Sequence, residues 1–241
     1  MTPQEVHRLH ANIDAIRGRI AVAAARSGRT PADVRLIGVT KYVSPSIAAE
    51  LVAAGVVDLG ESRPQELWRK SEALAGLPIR WHLIGHLQRN KLRRSLPLVS
   101  LVHSGDSWRL LEALNAEAAE VDGQVEVLLE VNISGDQAKH GFSPVELVGA
   151  LPRLAELPQL KITGLMAMAA LEGGREVAQR NFAALRELRD AVQPQLPSGI
   201  QLHELSMGMS DDFDLAIEEG STMVRVGSAL FEGIRSDDAQ Q

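Results

Sequence analysis

Three stretches of the chain carry residue types suited to one kind of chemistry. In "VRLIGVTKYVSPS", positions 34–46, an apolar run that reads as a buried strand ends at Thr40 and Lys41, and Ser44-Pro45 starts a helix at once. A lysine after a strand is ordinarily a solvated surface group. Held in a dry barrel mouth it would lose its proton more readily, and the neutral amine could attack a carbonyl to form an imine. Strand parity favours an inward direction, because Ile37, Val39 and Lys41 share one face.

The second stretch is "STMVRVGSALFEG", 221–233, where Met223, Arg225 and Gly227 share one face and Val224 and Val226 the other. An arginine inside an apolar strand is costly unless partnered, and a structural ion pair with a carboxylate is the plain explanation. Gly227-Ser228 and the short run Ala229–Phe231 follow, a pattern suited to anion binding by backbone N–H groups. The third stretch, "LSMGMSDDFD" at 205–214, sets Ser206, Gly208 and Ser210 beside the same corner. Ser210 also reads as a helix N-cap, with Asp211 and Asp212 favourable to the helix dipole. Those two carboxylates must then face away from any bound phosphate. An amine, an arginine and a phosphate corner together suit an aldehyde carrying a phosphate. Pyridoxal 5′-phosphate (PLP) is one candidate, and the substrate of another Schiff-base enzyme, such as an aldolase, is a second.

These residues need a scaffold that brings strand ends together. Thr2-Pro3-Gln4-Glu5 is a capping box, and Val6, Leu9, Ile13, Ile16 and Ile20 then recur at helical steps up to Ser27-Gly28. Strands are expected at 34–40, 57–60, 81–85, 99–103, 125–133, 161–166, 201–206 and 223–226. Helices are expected near 45–54, 63–75, 88–95, 107–121, 144–156, 174–193 and 211–219. Near-continuous apolar strands alternating with helices imply a parallel sheet covered on its faces. Eight such units predict a single-domain TIM-type (β/α)8 barrel with an extra N-terminal helix, whose site lies at the strand C-termini. The competing open doubly wound sheet usually carries a GxGxxG turn after its first strand, and this chain has none there. One domain over 1–233 and a frayed tail over 234–241 are expected.

Composition narrows the function classes. The 241 residues are 45% hydrophobic but only 3% aromatic, so aliphatic side chains must fill the core. The absence of cysteine excludes disulfides, thiolate catalysis and zinc–thiolate sites. The net charge of −6 argues against wholesale nucleic-acid binding. No apolar run reaches the ~20 residues of a membrane span, and the polar N-terminus is not a signal peptide. A cytoplasmic protein is expected.

With these residues in view, the chain resembles the YggS/PROSC family of PLP homeostasis proteins, whose fold is like the N-terminal barrel of alanine racemase. The matching stretches are "LIGVTKYVS", "DLGESRPQEL", "WHLIGHLQRNK", "VHSGDS", "LLEVNISGDQAKHGF", "ITGLMAM" and "LSMGMSDDFDLAIEEGSTMVRVGSALFEG", which span residues 36–233. The resemblance implies a PLP Schiff base on Lys41, with Ser210, Gly227 and Ser228 at the phosphate, Ser206 nearby, and Arg225 facing the pyridine nitrogen. It places His82 and Met207 at the mouth. Two positions depart from the family pattern: Ser62 stands where Asn is usual, which shortens or removes a contact beside the cofactor, and Gly105 replaces Ile. The implied role is to buffer or deliver PLP inside the cell, with apo PLP-dependent enzymes as recipients and no robust catalysis. The alternative is an amino-acid racemase of weak activity. A monomer is expected.

Three other signals have plain explanations. His82 and His86 are spaced as helical metal ligands would be, but they straddle a strand end without an acidic third ligand. The basic run "RNKLRR", 89–94, reads as a solvated helix face, and Met166 and Met168 read as core.

Overall fold

The computed structural model describes residues 1–120 and 123–234. The capping box forms at the start of α1 (Pro3–Arg26): Thr2 Oγ1 accepts from the Glu5 N–H at 3.3 Å, and the Glu5 carboxylate accepts from the Thr2 N–H at 2.7 Å. Leu9, Ile13, Ile16 and Ile20 are buried along one stripe of this helix. The segment after the last strand is tied to this helix, because Asn12 Nδ2 donates to the carbonyls of Leu230 and Glu232 at 3.0 and 2.9 Å.

Eight parallel strands follow: β1 (Arg35–Val39), β2 (Asp58–Glu61), β3 (Arg80–Leu83), β4 (Val99–Gly105), β5 (Val125–Glu130), β6 (Leu160–Met166), β7 (Glu204–Ser206) and β8 (Met223–Val226). They close in sequence order into a barrel, β8 returning to β1 with Ile37 opposite Arg225 and Gly38 opposite Val226. The crossover helices are α2 (Pro45–Ala53), α3 (Pro64–Ala73), α4 (Leu92–Ser95), α5 (Trp108–Glu120), α6 (Pro144–Ala150), α7 (Gly174–Val192) and α8 (Phe213–Glu218). This is the expected TIM-type barrel with an added N-terminal helix.

The hydrophobic core has two parts. A large cluster packs the outward strand faces against the helices. A small inner cluster of Ile37, Leu101, Leu128, Met166 and Met223 fills part of the barrel axis. Each fully buried aliphatic contributes roughly 1.5–3 kcal/mol, so most apolar stabilisation comes from the outer layer. The rest of the axis holds polar groups.

Several boundaries differ from expectation for local reasons. β5 stops at Glu130 because the chain folds back: Phe142 N–H bonds the Glu130 carbonyl and Asn132 N–H bonds the Phe142 carbonyl. β7 begins only at Glu204, since the Leu202 N–H is taken by the Gln193 side chain at 2.9 Å. The helix expected over 144–156 tightens to a 3-10 helix from Leu151, because Pro152 has no N–H to continue the α ladder. The segment near 88–95 divides into a 3-10 turn (Arg89–Lys91), α4 and a second 3-10 turn (Leu96–Leu98). Met166 is core, but Met168 lies past the end of β6 and is exposed. The expected tail falls, from residue 235, outside the described residues. Among those described, no helix is long and apolar enough to cross a membrane.

Candidate functional site

Lys41 follows β1 by two residues and is half-buried. With Tyr42 it forms the centre of a turn closed by the Val43 N–H on the Thr40 carbonyl at 3.1 Å, and its ammonium lies 4.9 Å from the Tyr42 ring. Gly227, at the exit of β8, stands against the same strand end: a Cβ built there would lie 3.4 Å from Val39 Cβ and 3.5 Å from the Val39 carbonyl. The closure of the barrel thus brings the ends of the first and last strands to one rim.

Arg225 is buried on the inner face, as parity predicts, but its partners differ from the expected ion pair. Among the described residues, Nη1 donates to the Ser206 carbonyl at 2.8 Å and hydroxyl at 2.6 Å, and Nη2 donates to the Ala167 carbonyl at 3.0 Å. Burial lowers its pKa to about 10, against the opposing charges of Glu130 and Asp212. It is still a cation at neutral pH. A guanidinium has five N–H donors, so two are left over by these three bonds.

From Arg225 a hydrogen-bonded chain runs down the barrel axis. Ser206 Oγ lies 2.9 Å from His103 Nδ1, His103 Nε2 lies 2.9 Å from His82 Nδ1, and His82 Nε2 lies 2.9 Å from Asp58 Oδ1. Arg80 completes it from the strand N-terminal side, bonding Asp58 at 2.8 Å through Nε. Burial alone would raise the Asp58 pKa, but the hydrogen bonds and charges of Arg80 and His82 outweigh it and hold the carboxyl well below its ordinary range. Burial, then the charge of His82, pushes His103 well below the ordinary histidine value. His82 is therefore a core residue, not one lining the mouth.

The corner between β7 and β8 is built by a glycine turn. Gly208 has φ +93°, a value that L side chains rarely adopt, and its carbonyl accepts from the Arg225 N–H at 3.1 Å. Ser210 does not cap a helix, because α8 starts later, at Phe213. Its hydroxyl accepts instead from the Gly227 and Ala229 N–H groups, both at 3.3 Å. Those two N–H groups point at the spot where Ser210 Oγ sits, a donor arrangement suited to an oxyanion. Of the two carboxylates expected to face away, Asp212 is engaged within its own turn, where Oδ1 accepts from the Met209 N–H at 2.6 Å. Ser228 is exposed beside this corner. Met207 is fully buried in the outer core, so it packs behind the wall and does not line the mouth.

The opposite wall carries residues that the sequence reading passed over. Glu130 ends β5 on the inward face shared with Leu128, and it is buried. Burial, reinforced by the charge of Asp106 and opposed by Arg225 and His86, raises its pKa to about 7. The parity argument that selects Lys41 and Arg225 also selects Glu130, an ionisable group at a strand C-terminus. His86 parts from His82: it bonds Asp106 at 2.7 Å and stacks on His140 with ring centroids 4.8 Å apart. Ser62 is half-buried at the exit of β2, where a Cβ on Gly85 would come within 2.3 Å of its carbonyl. In the basic run, Arg94 and Lys91 lie 4.3 and 5.6 Å from the Trp68 ring centroid, so two of its four cations cover an aromatic side chain.

The protein-family model described as alanine racemase, N-terminal domain, matches residues 11–234. A protein of Aquifex aeolicus, named pyridoxal phosphate homeostasis protein, is 39% identical over 213 residues, covering 88% of this chain and 92% of its own. A Pseudomonas aeruginosa protein of the same name is 39% identical over 220 residues, covering 91% and 93%. Among solved structures, PipY of Synechococcus elongatus with PLP bound superposes with a TM-score of 0.82 at 36% identity, covering 92% of this chain and 99% of PipY.

Proposed function

Since the chain belongs to the alanine racemase N-terminal-domain family, in its branch of pyridoxal phosphate homeostasis proteins, we propose that it holds PLP on Lys41 and serves to buffer and deliver it. The observation that carries this reading is Arg225: a buried cation on the barrel axis with two N–H donors left over, on the strand paired with the one that runs out at the half-buried Lys41, and beside the corner where two backbone N–H groups converge on Ser210 Oγ. When bound, PLP supplies an aldehyde that links to an amine as a Schiff base and a pyridine ring that acts as an electron sink.

The chain's own residues have separate tasks. Lys41 provides the amine. The hydroxyls of Ser210 and Ser228 would receive the phosphate, with Ser210 giving up to it the Gly227 and Ala229 N–H groups from which its Oγ now accepts, and Ser62 would border the ring from β2. Arg225 remains protonated, so it donates to the ring nitrogen and cannot protonate it. A ring held that way is a weak sink, which suits a carrier better than an enzyme of transamination or decarboxylation. Sequestration has a direct chemical purpose, because a free aldehyde reacts with any exposed amine. We place the protein in the cytoplasm as a monomer of one barrel domain over 1–233, with apo PLP-dependent enzymes as recipients. A weak amino-acid racemase is the second reading, favoured by the family's namesake. Against it, Tyr42 is the only tyrosine and is 64% exposed.

The deciding experiment is the absorption spectrum of the protein mixed with PLP, followed by borohydride reduction and peptide mapping. An imine band that is bleached by reduction, with the label on Lys41 and no band in Lys41→Ala, supports the reading. A label on another residue overturns it.

A further inference from the structure

Behind the wall that carries Lys41 lies an ion pair with no access to water. Lys70 on α3 and Glu61 at the end of β2 are both 0% exposed, and Lys70 Nζ stands 2.7 Å from Glu61 Oε1. The same ammonium donates to the Thr40 carbonyl at 2.5 Å, and the Thr40 hydroxyl donates to Glu61 Oε1 at 2.6 Å. Glu61 Oε2 is buried with no hydrogen-bond partner among the described residues.

Such a pair is a poor way to stabilise a fold. Two desolvated charges with one oxygen unsatisfied are commonly matched or bettered by apolar side chains of the same volume. What the pair achieves is geometric. The Thr40 carbonyl belongs to the peptide unit that joins Thr40 to Lys41, and a peptide unit is planar. That carbonyl receives the Lys70 ammonium and the Val43 N–H together, while the Thr40 N–H holds the Gly60 carbonyl at 3.0 Å. Every polar group of Thr40 is thereby anchored, the hydroxyl included, and the plane from which Lys41 departs has no freedom to rotate.

We propose that Lys70 and Glu61 are positioning residues for Lys41: they lock the Thr40–Lys41 peptide plane and so aim the Lys41 amine into the barrel mouth. This rests on the reading of Lys41 as the PLP-bearing residue. It assigns a function to a second lysine that never meets the cofactor.

The test uses the full chain with Lys70→Met and Glu61→Leu combined, which removes both charges together and leaves only the Thr40 hydroxyl without its acceptor. Three quantities are read: the urea midpoint, the rate of imine formation on mixing with PLP, and the acetylation of Lys41 relative to exposed Lys161 by a limiting acylating reagent. The expected result is a urea midpoint at or above that of the wild type, imine formation slowed tenfold or more, and a several-fold rise in the Lys41-to-Lys161 acetylation ratio. A folded double variant with wild-type imine and acetylation rates overturns the proposal. Should the double variant not fold, Thr40→Val, which removes only the hydroxyl link, must show the same changes at smaller size, and unchanged rates there overturn it equally. If the wild type forms no imine at Lys41, the PLP reading fails, and the acetylation ratio alone still decides whether the clamp orients this lysine.

Discussion

His103 Nδ1 lies 2.9 Å from the Ser206 hydroxyl, and that hydroxyl is the one that accepts from Arg225 at 2.6 Å. One assignment of protons satisfies each link of the chain that they begin. Arg225 donates to Ser206, Ser206 to His103 Nδ1, His103 Nε2–H to His82 Nδ1, and His82 Nε2–H to the Asp58 carboxylate. All the dipoles then point from a buried cation to a buried anion. Reversing the His82–His103 link would leave the Ser206 hydrogen without an acceptor among the described residues, an outcome that buried polar groups avoid.

Ser206→Ala is therefore a sensitive substitution although it deletes one atom. It strands His103 Nδ1 and removes one of three bonds to Arg225. The expected loss is about 1–3 kcal/mol, read as a lower urea midpoint at unchanged slope, together with weaker PLP binding. Wild-type stability and affinity would show that the chain does not hold Arg225.

Glu130 lowers the stability of the fold between pH 4.5 and about 7. Its folded pKa of about 7 exceeds the reference value of 4.5, so its proton stabilises the fold relative to the ionised form. Stability is full below pH 4.5 and declines as pH rises through 7, by roughly 3 kcal/mol in total. His103 acts in the opposite sense: its folded pKa is depressed, so stability declines as pH falls below 6.5. In apo-protein melts, Glu130→Gln is expected to flatten the decline between pH 5 and 8 while leaving the acid side in place. An unchanged slope between pH 5 and 8 would contradict the placement of this carboxyl.

Two glycine-to-alanine substitutions should move in opposite directions. A Cβ on Gly208 would lie 2.6 Å from Ala216 Cβ and 2.8 Å from Phe213 Cα, at φ +93°. Gly208→Ala should cost on the order of 1–3 kcal/mol and loosen PLP by shifting Ser210. Gly18, within α1, meets nothing within 4 Å, and Gly18→Ala should stabilise by about 0.5–1 kcal/mol. Thermal melts and PLP titrations of the pair check both.

Catalysis is expected to be absent or feeble. With PLP bound, α-proton exchange into D2O across a panel of amino acids should show no sustained turnover, whereas PLP should pass to an apo-enzyme. Continuous exchange with one amino acid would favour the racemase reading.

What the sequence determined by itself was local and periodic. The capping box at Thr2, the alternation of apolar runs with helices, and the shared strand faces of Ile37 with Lys41 and of Met223 with Arg225 all depend on neighbours a few residues away. The barrel followed from counting those units, and Lys41, Arg225, Ser210 and Gly227 from reading only the strand ends. The tertiary structure alone decided which distant groups meet. The family resemblance put His82 at the mouth, yet closure set Asp58 and His103 against it in the axis. Ser210 looked like a cap until β8 delivered two N–H groups to its hydroxyl. Lys70 and Glu61 gave no signal in the sequence, since a buried ion pair has no sequence period and exists only where two elements pack. Periodicity tells a residue which way to face, but only packing tells it whom it faces.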